Sequence, residues 1–195
     1  MTFNGAERKI TPTNEQEFIP HVRELMELSA VESYRTLVIL DEFQNFLSQK
    51  NFLKGFSISS IESAHVYPEK KDGKWQKSTT RVNFIDNITE EKFPRYVEEL
   101  KSLNRKGKEL SFLRIDFSKN AGETFCCDMG TMILDTDSLY IEVKEDNPSS
   151  SQIIDWVKGL ENSGKEILFN KGKMKEKIRV SNITGEKFST IRLTF

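Results

Sequence analysis

The hydrophobic pattern of this chain changes period at Gly55, and that change limits what it can fold into more than any other feature. From Val22 onward apolar residues recur as Leu25, Met26, Leu28, Val31, Tyr34, Leu37, Val38, Phe43, Phe46 and Leu47. Steps of three and four keep one stripe of a helix apolar, so this stretch reads as one long helix or as two helices meeting near Ser29–Ser33. Pro20 has no N–H and fits a first helical turn, which starts the helix there. Beyond Gly55 the apolar residues alternate instead, which is the period of strands. The chain therefore divides into an N-terminal helical unit, residues 1–54, and an α+β domain, residues 55–195.

Within the second part, Phe56–Tyr67 and Thr80–Ile85 read as a β-hairpin around the turn dipeptide Asp72–Gly73, with Val82 and Phe84 on one strand face. A helix follows, with Asn87 or Thr89 as cap candidates, Pro94 near its start, Val97, Leu100 and Leu103 as its stripe, and Gly107 as its stop. Leu110–Phe117 returns as a strand, and Glu123–Leu134 pairs with Leu139–Lys144. Ser149-x-x-Gln152 has the form of a capping box for a helix burying Ile153, Val157 and Leu160. Glu166–Phe169, Lys175–Val180 and Lys187–Phe195 alternate as final strands. The expected fold is α+β: about eight mostly antiparallel strands with two helices packed on the sheet. Residues 82–112 and 141–169 share strand, helix, Gly-Lys-Glu and returning strand in the same order, which suggests a ββαβ duplication with half-repeats 55–118 and 123–195.

Composition narrows the functional classes. The 195 residues carry 29 Lys and Arg against 30 Asp and Glu. That balance excludes a protein that holds nucleic acid or an anionic membrane by bulk positive charge, while leaving room for a local patch. No apolar run approaches the ~20 residues of a membrane span, and the first residues lack a signal-peptide core, so a cytoplasmic location is expected.

Catalytic motifs are thin. Thr36–Glu42, TLVILDE, has the hydrophobic run and Asp-Glu end of a nucleotidase strand, and Arg35–Leu40 as a strand is the structural alternative to a helix. No phosphate-cradling loop accompanies it, which favours a helical core stripe with Asp41 and Glu42 on the wet side. Cys126 and Cys127 are neighbours and point to opposite faces of any strand, and His21 and His65 lie in different elements, so neither a metal nor a cofactor is expected. His65 in a strand reads as satisfied or solvent-facing.

Binding features are stronger. Lys165, Lys171, Lys173, Lys175, Lys177 and Arg179 cluster around one turn and the strand after it. Alternation puts Lys173, Lys175, Lys177 and Arg179 on one strand face, suited either to a binding surface or to protecting a sheet edge. Trp75, beside the hairpin turn, is either an exposed contact anchor or folded back on its own hairpin. The expected function is a non-enzymatic binding or regulatory protein that docks another protein, or a second copy of itself, through Trp75, Lys171, Lys173, Lys175 and Lys177. The alternatives are a nucleic-acid-binding regulator using the basic strand 165–179, and an enzyme acting on a small substrate or nucleotide through Asp41, Glu42 or the Cys126 region.

Overall fold

Asp72 and Gly73 turn the chain with φ angles of 50° and 75°, the paired left-handed conformation that matches the twist of a two-residue hairpin. A computed structural model describes residues 20–50, 57–121, 124–135, 138–144, 148–162, 174–180 and 187–194. The turn joins β1 (Ser57–Lys71) to β2 (Lys74–Ile88), the longest strands of the sheet. The chain runs α1 (Pro20–Lys50), β1, β2, α2 (Phe93–Arg105), β3 (Glu109–Ala121), β4 (Thr124–Leu134), β5 (Ser138–Lys144), α3 (Pro148–Asn162), β6 (Met174–Val180) and β7 (Lys187–Thr194). The seven strands form one sheet in the order β2-β1-β3-β4-β5-β7-β6, every neighbouring pair antiparallel. The architecture is α+β.

The N-terminal stripe forms one unbroken helix, and Arg35–Leu40 is helical rather than a strand. Its buried positions are Val22, Met26, Ser29, Ser33, Thr36, Ile39, Leu40, Phe43, Phe46 and Leu47. The spacing is the expected one, yet the inward line in the first half runs through hydroxyl residues, and Leu28, assigned to the apolar stripe from sequence, is 56% exposed. The second half of α1 carries the large apolar side chains and enters the same core as the sheet.

One sheet face builds that core through cross-strand rows. Ile61 on β1, Ile115 on β3, Met132 on β4, Ile141 on β5 and Ile191 on β7 hold one row by register, and Leu113, Leu134, Leu139 and Leu193 hold the next. Phe43 of α1 meets Phe93 of α2 edge-on at 5.7 Å, Trp156 of α3 at 5.2 Å and Phe117 of β3 at 6.2 Å, so one phenylalanine joins all three helices to the sheet. Val97 and Leu100 of α2, and Ile153, Val157 and Leu160 of α3, are buried in the same cluster, as their spacing predicts. At Gly130 of β4 the backbone has φ 146°, and a β-carbon there would lie 2.2 Å from the Glu142 carbonyl oxygen of β5. Close approach of two strands requires glycine at this point.

Several expectations shift in detail. Asn87 does not cap α2; it lies in β2, where its side-chain oxygen accepts from Ser57 Oγ at 3.0 Å. Thr89 instead closes the turn before α2, its carbonyl accepting from the N–H groups of Lys92 and Phe93. Leu103 is half-buried, and Asn104 takes the inward position on that turn. Gly107, at φ 84°, ends α2 as expected, with Lys108 N–H returning to the Leu103 carbonyl. α3 begins at Pro148, so Ser149 lies within its first turn rather than ahead of it. The expected strand Glu166–Phe169 lies outside the described residues.

Pairing does not confirm the duplication. α2 links β2 to β3 across β1, and α3 links β5 to β6 across β7. Each helix thus spans one intervening strand, but that strand precedes the unit in one half and follows it in the other.

Candidate binding surface

Strand alternation sends every second residue to the face opposite the core; the buried residues of α2, α3 and the second half of α1 belong to the core side, while the start of α1 meets Trp75, which alternation puts on the same strand parity as Asn83 and Ile85. Register sets two rows across the whole sheet on this face. One runs Asn83, Glu62, Arg114, Ile133, Tyr140, Arg192, Lys175 from β2 to β6; the other runs Ile85, Ser60, Asp116, Thr131, Glu142, Thr190, Lys177.

On the β2-to-β5 part the charges are matched locally. Arg81 Nη1 donates to Glu62 Oε1 at 2.8 Å, and Arg114 Nε to Asp116 Oδ1 at 3.0 Å. Ser60 Oγ donates to the second Asp116 oxygen at 2.9 Å, and the Tyr140 hydroxyl to Glu142 Oε2 at 2.9 Å. These partners hold the carboxylates in fixed positions around half-buried Ile133 and Tyr140. At the β7–β6 end the register positions on this face are Phe188, Thr190 and Arg192 of β7 and the three basic residues Lys175, Lys177 and Arg179 of β6. The face therefore grades by register position from balanced charge to basic residues, and the basic row sits on β6, an edge strand of the described sheet.

The residues singled out from sequence do not form one site. Lys175 and Lys177 hold the positions just described, whereas Lys171 and Lys173 lie outside the described residues. Trp75 does not stand free at the hairpin tip: it is half-buried, packed against Val22 and Met26 at the start of α1, with Lys70 Nζ 6.0 Å from its ring centroid. Neither reading of Trp75 from sequence included α1. The ring pins the hairpin tip to the start of α1.

Asp41, the candidate acid of TLVILDE, accepts from Lys101 Nζ of α2 at 2.5 Å, and Thr36 Oγ1 donates to the Glu32 carbonyl within α1. Both contacts are helix-to-helix or within-helix, as a helical stripe requires. Cys126 and Cys127 follow one another on β4, with side chains outside the described part of the structure. Among the described residues no three His, Cys, Asp or Glu side chains gather as a metal site.

A buried polar seam escaped the sequence reading. Ser63 Oγ is 2.9 Å from His65 Nε2, and His65 Nδ1 is 3.3 Å from the Lys108 carbonyl. A carbonyl oxygen only accepts, so Nδ1 carries the proton and Nε2 accepts from the serine. Burial pushes the imidazole below its usual range, and the neutral ring satisfies both of its partners. Ser33 Oγ of α1 donates to Asn104 Oδ1 at 2.5 Å, and the same oxygen accepts from Leu110 N–H at 3.1 Å. Although Ser63 and His65 have the contact of a nucleophile and its base, both are fully buried, and the bonds serve to join β1 to the end of α2. The only sequence signal was the hydroxyl residues Ser29, Ser33 and Thr36 falling on the inward line of an amphipathic helix.

A scan against protein-family models matches none, and searches of curated proteins and of solved structures return no match. No helix of the described residues is long and apolar enough to cross a membrane.

Proposed function

We propose that the protein acts by docking another protein on the sheet face opposite the core, without catalysing a reaction. The observation that carries this reading is the pair of register rows across all seven strands, half-buried Ile133 and Tyr140 among fixed ion pairs and basic positions at one end. A central apolar and aromatic patch with a charged rim is the anatomy of a protein–protein contact. The basic end suits an acidic region on the partner, since complementary charge steers and orients docking. A tagged protein used to retrieve its partner tests this. Tyr140→Ala and the pair Lys175→Glu with Lys177→Glu each weaken the retrieved complex by about tenfold or more. Full retention by both variants removes the face from the model.

The second reading, nucleic-acid binding through β6, draws on the same basic positions. Glu62, Asp116 and Glu142 stand against it, because they lie in the same rows and repel phosphates. If it holds, nuclease abolishes retrieval and affinity falls steeply with salt as counterions are released.

A further inference from the structure

The two edges of the described sheet, β6 and β2, are treated differently by the sequence. β6 carries a basic residue at every second position, a common protection against pairing with another chain. β2 is twice as long, and its segment Ser78–Ile85 holds a single charge, Arg81, with no proline. Its irregular step opposite β1 comes only after that segment, between Ile58 and Ser60. Arg81 is already engaged by Glu62. Ile85, at 76% exposure, stands on this edge strand together with exposed Thr79 and Asn83. Alternate residues of a strand turn their N–H and C=O groups away from their one neighbour. On that side of β2 no described strand pairs.

We propose that β2 is a strand-pairing surface for a second copy of this chain, the two β2 strands meeting antiparallel about a two-fold axis at Val82. An unpaired row of peptide groups is matched only by another extended strand. The sequence of β2 is complementary to itself in one register. With the axis at Val82, Arg81 faces Asn83 of the other copy, Lys77 faces Asn87, and Ile85 faces Thr79, so no like charges oppose and exposed Ile85 gains a β-branched neighbour. An axis at Arg81 sets the two arginines face to face and Ile85 against Lys77. An axis at Asn83 sets Ile85 against Arg81. An axis at Thr80 sets Ile85 against Trp75, whose ring is already packed on α1. The Val82 register also keeps core faces aligned, giving one continuous sheet with the helices of both copies on the same side. The pairing surface is the peptide edge of β2, whose side chains Asn83 and Ile85 also begin the rows of the docking face; each reading stands without the other.

The test uses the full chain and reads the dimer dissociation constant by sedimentation across the micromolar range. In the proposed register Ile85 lies opposite Thr79 of the other copy and diagonal to its Lys77 and Arg81. Ile85→Glu therefore tightens the dimer by about tenfold, and Ile85→Lys weakens it by about tenfold or more, through two symmetry-related sets of contacts. High salt erases both changes. Position 85 is on the surface, so circular dichroism of both variants remains that of the parent. A chain that stays monomeric at every concentration overturns the proposal. So does a dimer that both substitutions weaken alike, which is the behaviour of a plain apolar patch, or one that neither affects.

Discussion

Ser33 on α1 and Asn104 on α2 are 71 residues apart in sequence and share a buried hydrogen bond of 2.5 Å. Asn104 also holds the start of β3 through Leu110 N–H, so one carboxamide ties two helices to a strand. Replacing Asn104 by Ala leaves a buried hydroxyl and a buried N–H without that acceptor. The expected loss is about 2–3 kcal/mol of unfolding free energy, measured by urea titration. The Ser33→Ala, Asn104→Ala pair loses less than the two single losses added, because the bond can be broken only once.

His65 sets a pH dependence. Its pKa is lowered in the folded protein, chiefly by burial. The unfolded chain therefore binds the proton more readily. Stability is full above about pH 6.5, the ordinary value, and falls as pH drops below it, by at most about 1.4 kcal/mol per pH unit. Urea midpoints between pH 7.5 and 5 follow that slope, and His65→Ala flattens it in that window whatever its overall cost.

Asp86 acts lower on the pH scale. The Tyr96 hydroxyl donates to it at 2.7 Å, Lys92 adds a second donor, and together they hold its carboxyl below the usual range. Such a carboxylate contributes stability above about pH 4 that is lost as acid protonates it. Tyr96→Phe moves the Asp86 titration upward, seen in its carboxyl NMR shift, while leaving the His65 window unchanged.

Two glycines respond in opposite directions to alanine. Gly130→Ala drives a methyl group into the β5 backbone and destabilises by about 3 kcal/mol or prevents folding. Gly159 sits in α3 with nothing within 4 Å of a β-carbon, so Gly159→Ala stabilises by about 1 kcal/mol. Thermal unfolding of the two variants shows the contrast directly.

Phe43 is the junction of the aromatic core, in ring contact with α2, α3 and β3. Phe43→Ala costs about 3–5 kcal/mol, whereas Asp41→Asn, which weakens only the half-exposed pair with Lys101, costs at most about 1 kcal/mol. If the second variant lost as much as the first, the ion pair would carry more of the α1–α2 contact than its exposure allows.

Local features were legible in the sequence because their causes are local. Asp72–Gly73 specified a tight turn, Ile153, Val157 and Leu160 specified one face of α3, and Gly107 marked the end of α2. Of the expected basic row, Lys175, Lys177 and Arg179 fall in one strand, β6, while Lys173 lies outside the described residues. What escaped depends on contacts between distant elements. No pattern in β5 says that its second neighbour is β7 rather than β6, since strand pairing is decided by the whole sheet. Trp75 was placed beside a turn correctly, but its burial depends on where the first turns of α1 cross the hairpin. Asn104 read as an ordinary polar residue because its partners lie on α1 and β3, and His65 because the Lys108 carbonyl that holds its ring is 43 residues away.

The order of the strands imposes a timetable on a growing chain. β2, β1 and β3 are consecutive in sequence, so that half of the sheet can close once residue 121 is free of the ribosome. β5 must wait through all of α3 and β6 for β7 to emerge. Until Lys187 and the residues after it appear, β5 presents a bare, apolar rim, and during synthesis that interval is when the chain is most in need of a chaperone.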